Sequence, residues 1–508
     1  MLAAIRSAAV VGVDAVPITI EVNAATGLPG WTMVGLPSGA VREARDRVAA
    51  ALVNAGFVLP PRRWTVNLSP ADVRKDGPGF DLPIAIGVLV ASGQLDAAAI
   101  DGCWFLGELG LDGEVRAVRG TLPFVQAAHR GAARLAVIPE GNAAEAALLR
   151  TLPVVCAGSL RTLVDALRAG RLVAQGRPAA VSPSEDPIPD GTDLADIVGQ
   201  RTAKRALEIA AAGGHNLLML GPPGAGKTML ARRLAGLLPP LDDAAFLDVV
   251  AIHSVGGLLP AGGTPTRRPP FRTPHHTISL AGLIGGGPGP RPGEVSLAHR
   301  GVLFLDELLE LPRHVLDAMR QPLEDGRVVI ARAAQSVPFP ARFLLVGAAN
   351  PCPCGHAADP RGTCRCSEAA IRAYRDRLSG PLADRIDLHV RVEAVALEAM
   401  QGRAASESSA VVRARVAAAR ARQHQRYAGL AGVTLNAEVP GAWLRASEGV
   451  TPEALTLLGT AAERLRLSAR GFDRALRVAR TVADLAGLES VDESAVAEAL
   501  MFRPEAAG

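Results

Sequence analysis

The distribution of hydrophobic and polar positions divides the chain into regions of different periodicity. Residues 1–175 begin with a strand-like alternation and continue with alternating strand-like and helix-like segments, which predicts an α+β domain. Residues 176–190 are rich in Pro, Ser and acidic side chains and have no periodicity, as is typical of an inter-domain linker. Residues 191–393 hold short apolar runs that end in polar residues, which predicts an α/β domain with buried strands. Residues 394–508 place Ala, Leu and Arg at helical spacings and predict a helical domain.

One apolar run, Leu217–Leu220, is followed by GPPGAGKT at 221–228 and then by a helix-like segment. This is the strand, glycine loop and helix that surround a phosphate-binding loop, or P-loop. The glycines let backbone N–H groups converge on phosphate oxygens at a helix N-terminus, where the helix dipole also favours anions. We predict that Lys227 reaches the β- and γ-phosphates of ATP and that the Thr228 hydroxyl binds Mg²⁺. The predicted nucleotide-binding residues are Gly221, Pro222, Pro223, Gly224, Ala225, Gly226, Lys227, Thr228 and Met229.

Two further apolar runs end in residues suited to the same site. In GVLFLDE, Asp306 is predicted to hold Mg²⁺ and Glu307 to orient and polarise the attacking water. The run FLLVGAAN ends at Asn350, whose amide could sense the γ-phosphate. Ligands of open α/β sheets bind outside the carboxyl ends of the strands, so we expect these residues beside Thr228. Arg385 lies between a helix and a strand, and we expect it at a subunit edge; taken alone, it would be an ordinary salt-bridging residue.

Composition narrows the class of protein. The chain has 508 residues, of which 49% are hydrophobic, which argues against disorder and predicts two to four domains. No segment reads as a signal peptide and no apolar run is long enough to cross a bilayer, so we expect a soluble, cytoplasmic protein without a membrane partner. The net charge of +4 is too small to indicate nucleic-acid binding by itself. Cys103 and Cys156 are isolated in apolar surroundings and are predicted core residues.

Four cysteines cluster in the Gly- and Pro-containing segment that follows Asn350. They form a C-x-C…C-x-C frame of Cys352, Cys354, Cys364 and Cys366. Four thiolates on a short loop can close a tetrahedral Zn²⁺ site, and His356 is a candidate replacement ligand. Unliganded thiols or a reversible disulfide remain the alternatives.

Three segments are candidates for contact with a polymer. We expect the insert at 266–296 to be too rich in Gly and Pro for regular structure; it carries arginines, two histidines and Phe271, and mobile basic loops are plausible pore loops. A hairpin-like segment carries Arg327 and Arg332. The third candidate is a helix on which one face presents Arg415, Arg422 and Arg426. Each also has a structural explanation, since arginine-rich helices are usually solvated and adjacent histidines are usually structural.

The order of these motifs resembles that of AAA+ ATPases. The P-loop, PGEVSLAHRGVLFLDE, LEDGRVVIARA, the strand ending in AAN and PLADRID look most like the magnesium-chelatase branch and its bacterial magnesium-chelatase-like ATPases, a group that includes a competence protein. The resemblance covers nearly the whole chain. It implies a ring, expected to be a hexamer, with active sites between subunits and with Arg385 as the arginine finger. It also implies a C-terminal lid whose sensor arginine is Arg474 or, alternatively, Arg477.

The same resemblance implies what the ring acts on. A DNA helicase or branch-migration motor, used in recombination of incoming DNA during natural transformation, is the leading expectation. The alternative is a chelatase-like ATPase that remodels proteins or drives metal insertion with partner subunits. A regulatory nucleotide-binding protein with negligible turnover is disfavoured by the Asp306–Glu307 pair.

The first domain resembles the proteolytic domain of Lon. The segments RKDGPGFDLPIAIGVL and GELGLDGEVRAVRGTLPFVQAAHRGAARLAVIPEGN carry the resemblance. Lon-type proteases use a Ser–Lys dyad, but the corresponding positions here are Gly79 and Leu122, so neither nucleophile nor base remains. We therefore expect the scaffold without protease activity, serving either as a docking or DNA-contacting collar or only to stabilise the ring.

Overall fold

A computed structural model describes most of the chain. The described residues are 1–149, 151–173, 193–259, 265–287, 290–332, 335–357, 364–378, 380–394, 406–447 and 449–503, and of Arg332, Gln335 and Pro381 only the backbone is described. The predicted linker at 176–190 lies outside these ranges. Among the residues described, no helix has the length and apolar character needed to cross a bilayer.

The N-terminal unit is built on a seven-stranded sheet in the order β3-β4-β2-β1-β5-β8-β9. Its strands are β1 Leu2–Val11, β2 Asp14–Ala25, β3 Gly30–Val34, β4 Arg63–Ser69, β5 Cys103–Phe105, β8 Leu135–Pro139 and β9 Val154–Ala157, with a separate ribbon of β6 Glu108–Leu109 and β7 Val115–Arg116. Its helices are α1 Gly39–Asn54, α2 Asp81–Ala91, α3 Thr121–Arg130, α4 Ala143–Ala146 and α5 Leu160–Arg168. Helix α2 is apolar on every face after Asp81, and it is accordingly buried along its whole length.

The second unit is built on a five-stranded sheet in which all neighbouring strands run parallel, in the order β11-β14-β17-β10-β18. Its strands are β10 Leu217–Leu220, β11 Phe271–Arg272, β14 Val302–Leu305, β17 Leu344–Ala349 and β18 Leu388–Arg391. The fully buried β14 and β17 explain why these runs are apolar throughout. The mixed α/β character and the parallel sheet expected from the sequence are therefore confirmed.

Helices and two ribbons surround this sheet. The helices are α6 Arg201–Gly213, α7 Lys227–Leu237, α8 Asp243–Gly256, α9 Leu280–Ile284, α10 Glu294–Leu297, α11 Arg313–Ala318, α12 Arg320–Asp325, α13 Glu368–Arg375 and α14 Gly380–Ala383. The ribbons are β12 Gly285–Gly286 with β13 Arg291–Pro292, and β15 Arg327–Arg332 with β16 Gln335–Pro340. We call the strand ends after Leu220, Leu305 and Ala349 the carboxyl edge of the sheet, and the opposite ends the amino edge.

The last unit is helical. Its helices are α15 Ser409–Tyr427, α16 Gly441–Ala446, α17 Pro452–Arg464, α18 Ala469–Ala486 and α19 Glu493–Met501. They share one apolar core with α6, α7 and the strands of the parallel sheet. Several begin at a Ser, Thr or Asp whose side chain accepts a backbone N–H, which satisfies donors that a helix start leaves unpaired.

Two expectations about the candidate polymer contacts are wrong. The insert at 266–296 has regular structure. Its strand β11 pairs with β14, and α9, the β12–β13 ribbon and the start of α10 also lie within it. Phe271 is not a pore residue, since its ring stacks on that of Phe304 with centroids 6.1 Å apart and packs against the core.

The arginines of α15 are engaged within the chain. Arg415 pairs with Glu208 at 2.6 Å, and Arg422 donates to the carbonyl of Asp484 at 2.9 Å. Arg426 also donates to the fully buried carboxylate of Asp484. These contacts support the structural interpretation of the helix over the polymer-binding one.

The N-terminal unit is joined to the parallel-sheet unit where α3 meets α8. Leu122 is fully buried in an apolar cluster with residues of α8 that include Phe246 and Val249. Beside it, the Ser254 hydroxyl accepts the N–H of Gly120 at 3.0 Å and donates to Glu145, which also accepts the N–H of Leu122 at 2.6 Å. Burial raises the pKa of Glu145, and these donors oppose that shift. The junction thus buries both apolar surface and a hydrogen-bonded polar group.

Candidate functional site

The P-loop lies at the carboxyl edge, between β10 and α7. Gly226 precedes the helix with φ of +90°, a left-handed backbone conformation that glycine adopts without strain. The ammonium of Lys227 donates to the carbonyls of Gly221 at 2.6 Å and Pro222 at 2.9 Å, and to the side-chain oxygen of Asn350 at 3.2 Å. These oxygen atoms accept the ammonium hydrogen bonds that phosphate oxygens would accept from Lys227.

Burial lowers the pKa of Lys227, and the carboxylates of Asp306 and Glu307 oppose that shift. The ammonium therefore lies in an environment where desolvation strengthens its attraction to an anion.

The hydroxyl of Thr228 and the carboxylate of Asp306 meet at the same edge. The Thr228 Oγ1 donates to Asp306 Oδ2 at 2.7 Å, and the backbone N–H of Glu307 donates to Asp306 Oδ1 at 3.0 Å. A hydroxyl and a carboxylate are hard oxygen ligands of the kind that Mg²⁺ prefers. The structure therefore brings Lys227, Thr228, Asp306 and Asn350 together, as the strand ends predicted.

Glu307 has a partner that the sequence did not reveal. Its Oε2 lies 2.9 Å from Nδ1 of His276, and both side chains remain partly exposed. Glu307 itself has φ of +50°, an unusual conformation for a residue with a side chain and one found at functional sites. The His275 ring lies 4.2 Å from that of His276, and its Nδ1 bonds to the Thr277 hydroxyl at 2.8 Å. The sequence offered only the two adjacent histidines as a signal, because the strand β11 that brings them to β14 was not predicted.

A group of arginines gathers at the other end of the sheet. Arg385 precedes β18 and pairs with Glu324. Burial lowers its pKa, as do the charges of Arg470, Arg320 and Arg474 in decreasing order. We call these four residues the arginine group. Arg385, Arg470 and Arg474 contribute to the lining of a cavity of about 1150 Å³ at the amino edge.

The two candidate sensor arginines have different surroundings. Arg474 donates to the carbonyl of Ala383 at 3.2 Å and to the carboxylate of Asp384 at 3.2 Å, next to Arg385. Arg477 donates through Nε to the carbonyl of Val439 at 2.7 Å, and burial lowers its pKa. Arg474 thus belongs to the arginine group, whereas Arg477 connects two segments of the helical unit.

The arginine group and the P-loop do not meet within one chain. Parallel β10 and β18 separate them, and a four-residue strand spans roughly 13 Å. Neither Arg385 nor Arg474 is therefore beside Lys227.

The remaining predicted residues lie elsewhere. The sulfur atoms of Cys352, Cys354, Cys364 and Cys366 all lie within 4.8 Å of one another, in the segment that follows β17. Cys103 is buried and Cys156 is half-buried, in keeping with their predicted place in the core. Gly79 lies where an added Cβ would come 2.9 Å from the side chain of Leu106.

Three family models match this chain. The model described as magnesium chelatase, subunit ChlI, matches residues 193–400. The model described as subunit ChlI of Mg-chelatase matches residues 20–142, and the magnesium chelatase subunit ChlI C-terminal model matches residues 406–503.

Curated proteins resemble the chain over nearly its full length. An uncharacterized protein of Mycobacterium tuberculosis is 47% identical, with 98% of this chain and 97% of that protein covered. The competence protein ComM of Haemophilus influenzae is 44% identical, with 99% of this chain and 97% of that protein covered. The magnesium-chelatase 38 kDa subunit of Rhodobacter capsulatus is 28% identical over only 35% of this chain and 55% of its own length.

Proposed function

Since this chain belongs to the magnesium chelatase ChlI family and is similar to a competence protein over nearly its full length, we propose that it is an AAA+ ATPase that acts as a ring motor on DNA. The observation that supports this most directly is the meeting of Lys227, Thr228, Asp306 and Asn350 at the ends of three neighbouring parallel strands.

The carboxyl edge fits ATP and Mg²⁺. The loop at 221–228 would hold the phosphates with its backbone N–H groups, and Lys227 would exchange its present carbonyl partners for phosphate oxygens. Thr228 and Asp306 already place two hard oxygen atoms 2.7 Å apart and would hold Mg²⁺. Bound Mg²⁺ would neutralise charge that develops on the phosphates.

Hydrolysis would use the residues around Glu307. Its carboxylate would accept a proton from the attacking water, and Asn350 would orient the γ-phosphate and that water. His276 would act as a positioning residue, because its contact at 2.9 Å fixes one oxygen of Glu307. The reaction is transfer of the γ-phosphoryl group to water, which yields ADP and phosphate.

The arginine group would complete the site of a neighbouring subunit. Arg385, Arg470 and Arg474 line one cavity, and a phosphate from another chain would bind there by exchanging with carboxylates such as Glu324, the present partner of Arg385. Arg385 would be the finger and Arg474 the sensor, both reaching across a ring that we propose to be a hexamer. A positioned arginine finger is worth about 10³–10⁵ in rate.

The flanking units fit supporting roles. The helical unit would serve as the lid, because α18 carries Arg474 to the amino edge. The N-terminal unit would be a Lon-like scaffold without protease chemistry, since Gly79 has no side chain and Leu122 is packed against α8. Its proposed roles remain a collar for DNA or support of the ring.

DNA is the polymer we propose, single-stranded or branched. The full-length match to a competence protein supports a role in recombination of incoming DNA, as a helicase or branch-migration factor. The β15–β16 ribbon is our candidate contact, because Arg327 is exposed on it. Arginine–phosphate contacts do not depend on sequence, which suits a motor that must move along DNA.

A chelatase-like remodelling ATPase is the second candidate. The three family descriptions favour it. The short match to the Rhodobacter chelatase subunit, against the full-length match to the competence protein, favours the first.

ATP turnover of the purified protein, with and without single-stranded and branched DNA, separates the two candidates. Lys227→Ala serves as the blank. We expect strong stimulation by DNA, followed by strand displacement in a direct assay. Robust turnover that is indifferent to DNA would instead support the remodelling ATPase.

The contact on the ribbon is tested by Arg327→Ala with Arg332→Ala. We expect weaker DNA binding with a shallower dependence on salt concentration, because each lost phosphate contact removes about one unit from the salt slope. Arg464→Ala, at an exposed position of α17, is the matched control. Unchanged affinity of the double variant at low salt would refute the assignment.

A further inference from the structure

The sulfur atoms of the four clustered cysteines have the spacing of a metal site. Cys352 Sγ lies 3.4 Å from that of Cys354 and 3.8 Å from that of Cys364, and Cys354 Sγ lies 3.6 Å from that of Cys364. Zn–S bonds of about 2.3 Å in a tetrahedron place sulfur atoms about 3.8 Å apart. A disulfide requires about 2.05 Å, so these separations match a shared metal ion and not a covalent bond.

A backbone N–H group points at one of the sulfurs. The Ala357 N–H donates to Cys352 Sγ at 3.2 Å. Such a donor stabilises a thiolate and orients it as a ligand, which is how the surroundings of a metal site normally act.

From this arrangement we propose that Cys352, Cys354, Cys364 and Cys366 bind one structural Zn²⁺. The ligand set is complete with four sulfurs, so the site is closed and leaves no position for substrate. Among the described residues, the group of converging ligand atoms consists of these cysteines, and His356 is not part of it.

The zinc site ties a strand end to a helix start. Cys352 and Cys354 follow β17 directly, whereas Cys364 and Cys366 lie immediately before α13, whose N-cap is Ser367. One further contact crosses the same gap, from Arg375 Nε to the carbonyl of Pro351 at 3.4 Å. Since a segment rich in Gly and Pro has little apolar surface to bury, metal binding supplies the free energy that orders it.

The ordered segment also touches the ATP site. Gly355 has φ of +83°, and a Cβ added there would come 2.7 Å from the side chain of Pro223 in the P-loop. Asn350, two residues before Cys352, contacts Lys227 at 3.2 Å. The zinc site therefore supports both the P-loop and Asn350. The effect of this support on ATP turnover rests on the proposed ATPase function, whereas zinc binding itself does not.

Metal content tests the proposal. The full chain, purified without chelator, should carry about one zinc per chain by elemental analysis. Cys364→Ser should lose the zinc, whereas Cys156→Ser, which removes a half-buried cysteine outside the cluster, should keep it. Iron in place of zinc, or no metal together with oxidised cysteines on thiol titration, would overturn the proposal.

A second measurement uses the wild-type protein and so does not depend on the folding of a variant. Replacement of zinc by Co²⁺ in the wild-type protein should produce the intense thiolate-to-cobalt absorption of a tetrahedral sulfur site, and its absence would contradict four-sulfur ligation. Zinc removal should also lower ATP turnover, by about 10–100-fold for a lost supporting shell. A zinc-bound protein without any ATPase activity would uphold the site and refute the proposed function.

Discussion

The two edges of the parallel sheet differ in the charged groups that they bring together. At the carboxyl edge, Lys227 contacts oxygen atoms, Thr228 donates to Asp306, and Glu307 lies beside His276. At the amino edge, the pKa of Arg385 is lowered by burial and by the charges of three other arginines. Three of these four arginines also have acidic partners, in the pairs Arg385–Glu324, Arg474–Asp384 and Arg320–Asp317. The first edge brings one ammonium together with a hydroxyl and carboxylates, whereas the second brings several arginines together with carboxylates.

The two edges carry the two halves of the site that we propose to form between subunits. The strands between them keep the P-loop and the arginine group apart within one copy. Copies arranged head to tail would join unlike edges at every interface, and such contacts form a ring when the rotation between copies closes.

The largest expected effect comes from mixing two inactive variants. Lys227→Ala disables the carboxyl edge and Arg385→Ala the amino edge, and we expect each to lower turnover by about 10³–10⁵. If the edges complete each other across subunits, a mixed assembly has interfaces where both are intact and regains measurable turnover. Steady-state ATPase assays of the mixture check this, with each variant alone as the control. No recovery in verified mixed rings would mean that both edges serve the same chain's nucleotide.

Glu307→Gln tests the carboxyl edge alone. The amide keeps the shape but cannot accept a proton, so turnover should fall by about 10²–10⁴. ATP binding should persist, since Lys227 and the P-loop amides are unchanged; fluorescent-nucleotide titration measures it. Appreciable turnover in this variant would remove Glu307 from its proposed role.

Arg474→Ala and Arg477→Ala test which of the two arginines of α18 acts at the amino edge. Arg474 belongs to the arginine group, so we expect turnover to fall by about 10–100-fold, or about 1.4–2.7 kcal/mol in the barrier. Arg477 binds the carbonyl of Val439, so its loss should lower the thermal midpoint instead. The reverse pattern would make Arg477 the sensor.

His276→Ala should have the smallest effect. Loss of its contact with Glu307 leaves the carboxylate less well oriented, and we expect kcat to fall by about tenfold, or about 1.4 kcal/mol, with KM for ATP unchanged. His275→Ala is the matched control, because His275 bonds to Thr277. Equal effects of the two substitutions would indicate a merely structural role for the pair.

The sequence predicted the carboxyl edge well because its signals are local. The P-loop, Asp306 and Asn350 each follow a short apolar run, and parallel strands must bring their carboxyl ends together. The unlike surroundings of Arg474 and Arg477 were not predictable, since both occupy one helix and only contacts with distant segments distinguish them.

The insert shows where local signals fail. Its Gly and Pro content indicated a loop, but Phe271 and Arg272 pair with Val302 and Leu303 and extend the sheet. Pairing with an existing strand outweighs weak local propensity. The partner of Arg426 on α15 was not predictable for a similar reason, because Asp484 lies 58 positions away along the chain.

The junction of α3 and α8 has a mechanical consequence. Separating the two units would break the hydrogen bonds of Ser254 with the Gly120 N–H and with Glu145, and would expose the cluster around Leu122. The contact couples the two units, so a tilt of α8 would carry the seven-stranded sheet with it, and the N-terminal unit would act as the long arm of a lever.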